Sequence, residues 1–552
     1  MQGASLQTLK FSPEIWAQVF SYLQHDIYQL YSCCLVNKTW YALGMPYLWY
    51  SPYFASQKHF TSFRRTVVDN PLLTSLVGRF ELTEYTPETV VNTTPVLTAL
   101  LNLRALHLPL IWGNTSMALD CLCHMTHLEE IHDLNIELSM DGLTLLVSIL
   151  SSLKKLSKIG ILFKAAQPSN SPYDISVLSS IPTLPNVKSI SVTFGAEFDI
   201  QVLELLLAKV PKLRKFGIDS RYTPRYIVRT LARYCPEITG LSLSTFSGLG
   251  DELLDEFCKD LQMNYAGQLK EFCMIFFNDW PIYSERFTRC LLKSFYSLET
   301  LKLSGVRLNN NIVQALAESL SPKLKTLDLA CVSYRNLFAY ESWDNLFTKI
   351  GDHLKNLTIV GAILPSHVGK SIAERCSGLE RLSLASTNIM DDSIAAIAQS
   401  CGHRLRQLDV SDTCITHLGL VKIFENCHRL QDLSFAKLSS RPEFSENLGK
   451  FLSQRGHQLQ RLNLSHLPTR DYTLVQIAQY AHDLRELIFT DQPGVTDLTV
   501  SNLMKCCLKL ERLSVTRYSR TTQNLSNNML ASIDQHYIRI DYPLVASKRL
   551  QL

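Results

Sequence analysis

The stretch "CLCHMTHLEEIH", residues 121–132, crowds Cys121, Cys123, His124, His127 and His132 together. Thiolates and imidazoles are the usual ligands of zinc, so metal binding is the first chemistry to weigh. Cys-x-Cys is not the Cys-x-x-Cys knuckle that closes a tetrahedral site. The stretch also runs from the end of a helical pattern into a strand pattern, and we expect no metal and no cofactor. The sequence holds neither a glycine-rich phosphate loop nor a Gly-x-Ser-x-Gly elbow. A nucleophilic cysteine would need a thiolate beside a placed base. Of the 15 cysteines, Cys235, Cys376, Cys401, Cys427 and Cys507 each fall three or four residues before an apolar strand pattern. A thiol that recurs in phase with a repeat reads as a small apolar side chain filling a helix-to-strand corner. The chain is therefore expected not to be an enzyme.

The repeat that sets this phase has apolar residues at positions 1, 4 and 6 of a short strand. It is plainest in "LETLKL" at Leu298, "LKTLDL" at Leu324, "LKNLTI" at Leu354, "LERLSL" at Leu379 and "LRQLDV" at Leu405. It continues in "LQDLSF" at Leu430, "LQRLNL" at Leu459, "LRELIF" at Leu484 and "LERLSV" at Leu510. "LRALHL" at Leu103 is as plain, and looser copies start at Val77, Leu128, Leu156, Val187, Leu213, Ile238 and Leu269. Roughly 17 strands result, with a mean spacing of about 27 residues and helical spacing between them, inside the leucine-rich-repeat range.

Alternation along a strand sends positions 1, 4 and 6 to the core and the residues between them to the opposite face. Helices return behind the core. One repeat buries perhaps seven apolar side chains at about 1.5–3 kcal/mol each, against about 1.5 kcal/mol for each residue it orders. It cannot fold alone and must stack on its neighbours. The residues facing away from the core set a binding surface. In the C-terminal half these include Lys302, Asp328, Arg381, Asp409, Asp432, Arg461, Asn463, Glu486 and Arg512, among many Ser and Thr. Arg381, Asp409, Arg461 and Glu486 are the expected target contacts.

The N-terminal segment does not follow the repeat. Ser12 can cap a helix with Pro13 at its first position and Glu14 near its positive end. Ile15, Val19, Phe20 and Leu23 follow at helical spacing, then Ile27, Leu30 and Cys34 on a second helix from Asp26. About 40 residues with so many large apolar groups cannot bury them all, so some of Ile15, Val19, Phe20, Leu23, Leu35, Val36, Trp40 and Trp49 should stay available to a partner.

Pro13-Glu14-Ile15, the turn Phe20-Ser21-Tyr22-Leu23, Leu35-Val36 followed by Trp40, and the closing Leu48-Trp49 together resemble an F-box. Its usual Leu-Pro opening is here Phe11-Ser12-Pro13. Joined to the repeats, the whole resembles the F-box/leucine-rich-repeat proteins, substrate receptors of Skp–cullin–F-box ubiquitin ligases. "GVTDLTVSNLMKCCLKLERLSV", residues 494–515, resembles the cysteine-containing repeat subclass, with Thr-Asp before its helix and Cys after it. The resemblance implies an α/β solenoid, a leucine-rich-repeat horseshoe of roughly 17 repeats behind an α-helical F-box. It implies that Phe11, Pro13, Ile15, Val19, Phe20, Leu23, Leu30, Leu35, Val36, Trp40, Leu48 and Trp49 bind a Skp-type adaptor, and through it a cullin. The repeats would hold a target protein whose ubiquitin-dependent proteolysis follows. A scaffold that uses its F-box outside a ubiquitin ligase is the alternative.

The expected organisation is F-box 8–52, connector 53–71, repeats with a C-terminal cap 72–543, and tail 544–552. The cap would be a helix and strand in residues 526–543. A net charge of +4 from 54 basic and 50 acidic residues offers no attraction for nucleic acid or a membrane surface. No apolar run nears the roughly 18 residues of a membrane span, and the start lacks the pattern of a secretory signal. Cytosol, nucleus or both is the expected compartment, with the cysteines as thiols.

Overall fold

The computed structural model describes residues 12–23, 27–52, 54, 57–82, 95–100, 102–107, 121–164, 174–194, 200–222, 226–247, 251–276, 296–306, 308–331, 340–438, 443–467, 469–517 and 524–536. The chain forms two compact units, residues 1–161 with 169–182, and residues 162–168 with 183–552.

The first unit begins with three helices, α1 (Pro13–Leu23), α2 (Ile27–Cys34) and α3 (Lys38–Tyr50). The Ser12 carbonyl accepts the first helical N–H groups, from Ile15 and Trp16. Asn37 caps α3, its side chain accepting the Trp40 N–H at 2.9 Å. Phe20 and Leu30 are completely buried between the helices. Gly44 lets α2 and α3 close up, because a Cβ there would lie 2.6 Å from the Cys34 Sγ. The segment expected as a connector is largely a fourth helix, α4 (Gln57–Asp69). It buries Phe60, Phe63 and Val67 at helical spacing, and Phe54, Phe60, Phe63 and Phe80 form one aromatic cluster. Strands β1 (Arg79–Glu81), β2 (Ala105–His107) and β3 (Glu130–Glu137) then run parallel in register, Phe80 beside Leu106 and Leu106 beside Ile131. The Gly78 N–H donates to the Tyr50 carbonyl at the end of α3 at 2.9 Å, as the Arg104 N–H donates to the Gly78 carbonyl and the Glu129 N–H to that of Arg104. Strand β4 (Lys158–Lys164) follows.

The second unit carries β5 (Ser189–Phe194), β6 (Lys215–Tyr222), β7 (Gly240–Ser247), β8 (Glu271–Phe276), β9 (Thr300–Val306) and β10 (Thr326–Cys331). Next come β11 (Asn356–Val360), β12 (Arg381–Ser383), β13 (Gln407–Asp409) and β14 (Asp432–Ser434), then β15 (Arg461–Asn463), β16 (Glu486–Asp491) and β17 (Arg512–Arg517). Each strand of both units starts two residues after the first apolar residue of a sequence motif, so all of the roughly 17 expected strands are present. Each of β5 to β16 pairs in parallel with the next. Position 4 forms an unbroken row in register, from Ile190 through Phe216, Leu241, Phe272 and Leu301 to Leu327. The row runs on through Leu357, Leu382, Leu408, Leu433, Leu462 and Leu487 to Leu513. The architecture is the expected helical N-terminal segment followed by a parallel-stranded α/β solenoid. Helix Asn527–His536 follows the last strand; the strand expected after it and the 544–552 tail lie outside the described residues.

The four shortest strands of the second unit, β12 to β15, end alike. Ser386, Asp412, Lys437 and His466 each sit two residues past the third apolar position at positive φ, 54°, 55°, 58° and 62°. That conformation is costly for a residue with a Cβ. It persists because the turns interlock: Ser386 N–H donates to Ser411 O, Asp412 N–H to Ala436 O and Lys437 N–H to Ser465 O. The helix starts are linked as well. Asp391 accepts the N–H and hydroxyl of Thr416, the N-cap residue of the next helix, at 2.8 and 2.6 Å. Asp471 does the same for Thr496 at 2.9 Å each, and Asp497 accepts the Ser526 N–H at 3.0 Å. A carboxylate in one repeat thus seats the cap of the next.

Partial burial pushes the Asp471 carboxyl up, but hydrogen bonds from Thr499 and Thr496 outweigh it and hold the carboxyl below the ordinary aspartate range. An unfolded aspartate titrates near about 3.9. A depressed folded value therefore adds stability that is complete above that pH and is lost as pH falls through the folded value. Asp471→Ala should cost about 1 kcal/mol at neutral pH and should flatten the fall in melting temperature below about pH 4. Thermal unfolding followed by circular dichroism across pH checks both.

The five in-phase cysteines are all buried. The Cys401 Sγ donates to the Cys376 carbonyl at 3.2 Å, and the Cys507 Sγ to that of Ala481, the corresponding corner one repeat earlier, at 3.5 Å. Burial pushes the Cys235, Cys427 and Cys507 thiols up to about 12. Cys414 and Cys506 are exposed. An aromatic disulfide reagent should label Cys414 and Cys506 in the native protein and the in-phase five only after denaturant is added. Mass spectrometry of the labelled peptides reads the result.

Candidate interaction surfaces

The first surface lies on the N-terminal helices. Helix α1 turns Ile15, Val19 and Tyr22 outward at helical spacing, Tyr22 being 85 % exposed. The α2–α3 turn exposes Leu35 at 67 % and Val36 at 61 %, with Tyr31 and Tyr41 exposed on the helices either side. Single exposed apolar residues are ordinary on a surface; seven in so short a segment are not. The remaining expected contacts divide by burial. Phe20 and Leu30 have no accessible surface, so they hold the helices together and a partner cannot reach them. Leu23, Trp40, Leu48 and Trp49 are half-buried. The Trp40 ring lies 4.4 Å from Trp16 and 5.9 Å from Phe20, and Trp49 stacks on Phe63 of α4 at 6.0 Å. Pro13 opens α1. Phe11 lies outside the described residues. Tyr22, Tyr31 and Tyr41 were missing from the sequence expectation. For Tyr22 the signal was its place seven residues after Ile15 on the α1 stripe.

The second surface is the face of the second unit's sheet away from the helices. A groove of ≈ 670 Å³ runs across it from Glu271 on β8 to Ile488 on β16. All four expected target contacts, Arg381, Asp409, Arg461 and Glu486, line it, as do Lys302, Asp328, Asp432 and Asn463; Arg512, on the strand beyond, does not. The alternation is the cause: strand positions 3 and 5 flank core position 4, so they share the open face. Ser, Thr and Asn fill much of the floor between the charges.

The groove's charges interlock. Asp432 accepts from the Arg461 guanidinium and from the Gln407 amide through one oxygen, Oδ2. Its other oxygen, Oδ1, is buried with no hydrogen-bond donor. Burial pushes the Asp328 carboxyl up, and Lys302, its register neighbour on β9, partly offsets that. The Asp409 Oδ1 accepts the Ser411 N–H at 3.0 Å.

The cysteine–histidine stretch is dispersed. Residues 121–124 form a short 3-10 turn. His127 faces Lys155 at 3.1 Å, and the His132 imidazole, on β3, approaches Glu130 at 3.5 Å. Among the described residues no group of three or more His, Cys, Asp or Glu side chains is placed to hold a metal ion, and no helix is long and apolar enough to cross a membrane.

Residues 13–55 match the F-box-like family model; the N-terminal helices are an F-box-like domain. No curated protein matches the chain by sequence. Among solved structures, a chain of the yeast Rad7–Elc1 complex is similar at 14 % identity, covering 81 % of this chain and 94 % of that one with a TM-score of 0.41. An internalin (InlF) of Listeria monocytogenes is similar at 14 % identity over 78 % of this chain and 94 % of its own, with a TM-score of 0.30. Both likenesses are distant.

The burial split separates two kinds of substitution. Phe20→Ala should destabilise the first unit by about 3–5 kcal/mol. Leu35→Asp with Val36→Asp should stay within about 0.5 kcal/mol per site of the parent. Denaturant titration of each variant, with limited proteolysis of the N-terminal segment, makes the comparison.

Proposed function

We propose that this chain is the substrate-recognition subunit of a Skp–cullin–F-box ubiquitin ligase, its repeats belonging to the cysteine-containing leucine-rich-repeat class. The observation that carries the reading is the F-box-like domain at residues 13–55, which leaves Ile15, Val19, Tyr22, Leu35 and Val36 exposed. These side chains are the proposed contacts for a Skp-type adaptor, and through it a cullin. Trp40, Leu48 and Trp49 lend their half-exposed edges, while Phe20 and Leu30 act from beneath by holding the helices. In the second unit, one parallel sheet face carries the groove proposed to hold a target protein for ubiquitin-dependent proteolysis.

The role is non-catalytic. Transfer chemistry of its own would need an activated thiolate, and burial pushes the in-phase thiols up, away from that state. Ubiquitin would come from the enzyme that the cullin recruits, and this chain's contribution would be to hold the target close by. The proposed compartment is the cytosol, the nucleus or both.

Calorimetric titration with a Skp-type adaptor tests the reading. The parent chain should bind, and Leu35→Asp with Val36→Asp should weaken binding at least about 100-fold, since a few desolvated anchors dominate such interfaces. Equal affinity for parent and variant would overturn the assignment of this face. A pull-down that recovers adaptor without cullin would favour a scaffold outside a ubiquitin ligase.

A further inference from the structure

We infer that the groove takes an extended target segment through a lysine or arginine side chain, which it holds at Asp409 and Asp432. This rests on the reading of the sheet face as the target-binding side and adds the chemistry of the segment it binds. The groove's charged lining consists of five carboxylates and three cations, an acidic balance in a chain whose net charge is +4. The cations are also largely engaged. Arg461 is bonded to Asp432, and Lys302 stands beside Asp328 in register. Only Arg381 lies between neutral register neighbours, Asn356 and Gln407.

The carboxylates are less fully met. Asp409 lies between Ser383 and Ser434 with no cation beside it in register, and its Oδ1 takes a single backbone N–H. One strand over, Asp432 has an oxygen with no donor at all. A buried acceptor left unmet favours any ligand that brings a donor. The Arg461 side chain, bonded to the other oxygen, is 55 % exposed and can give way to an incoming cation. An incoming ammonium or guanidinium would then bond Asp432 and face Asp409 together, in charge-assisted bonds of the stronger kind. A phosphorylated segment would meet Arg381 with these two carboxylates close by, and like charges brought together cost binding energy.

The test uses the full chain bound to its adaptor and fluorescein-labelled Gly-Ser peptides carrying arginine, lysine, phosphoserine or no charge, read by fluorescence anisotropy at low salt. The arginine and lysine peptides should bind at least about tenfold more tightly than the neutral and phosphoserine peptides. Asp409→Asn, which keeps the shape of the site, should weaken the cationic peptides about tenfold, and Asp432→Asn at least as much. Arg381→Gln should strengthen them severalfold. The inference is overturned if the phosphoserine peptide binds as well as the arginine peptide. It also fails if no cationic peptide binds, or if Asp409→Asn leaves the cationic affinity unchanged in a protein of parental melting temperature. Adaptor affinity, measured on the same preparations, is expected to be parental in every groove variant. Failure of the peptide result alone thus leaves the adaptor reading standing, whereas loss of adaptor binding in the parent would sink that reading separately.

Discussion

The row of apolar side chains from Ile190 to Leu513 is the constraint on which the second unit depends. Each member pairs in register with the next, and each is almost completely buried. No repeat encloses its own member of the row; the repeats on either side do. Register is therefore not adjustable. A slip of one residue would send the leucines to the open face and the charged residues into the core. The groove is a by-product of the same rule. Because position 4 must point inward, positions 3 and 5 must point outward, and Arg381, Asp409, Arg461 and Glu486 are brought together without any contact among themselves being required.

This is why so much of the fold was legible. A period-two pattern with leucine at its inward positions specifies strand, face and register together, and all of the roughly 17 strands begin where their motifs place them. The open-face residues followed from the same alternation, and only Arg512 of the nine lies beyond the groove. What stayed hidden was pairing. Nothing in "QDLSF" announces that Asp432 would share one oxygen between Gln407 and Arg461 and leave the other without a donor. Those partners lie one strand away on either side and are set by side-chain reach.

The N-terminal helices were less legible for a different reason. Helical spacing marks an apolar stripe but does not say which of two stripes faces inward. Phe20 and Val19 are adjacent in sequence, yet Phe20 is wholly buried while Val19 lies outside. The decision comes from the crossing of α2 and α3 at Gly44 and from the aromatic packing of Trp16, Phe20 and Trp40. The segment after the F-box-like domain was read as a connector although Phe60, Phe63 and Val67 carry a helical period, because three apolar positions make a weak signal beside a strong motif. The aspartates that seat the next helix cap show the same limit: Thr496-Asp497 was visible as a pattern, but its purpose appears only when Asp471 is seen beneath Thr496.

The interlocking of neighbours through leucine row, left-handed turns and aspartate-seated caps also sets how the second unit yields to force. Among the described residues its helices and strands make their contacts with the repeat before and the repeat after, with no clasp between distant repeats to be broken first. Tension on the chain meets a series of modest barriers, each the grip of one repeat on the next. Each release pays out roughly 90 Å of chain, about 27 residues at close to 3.5 Å apiece. A repeat at an end of the array lets go before those beneath it. Such an array unzips from an end under a low and nearly constant pull, while the repeats beneath keep their surface until their own turn comes.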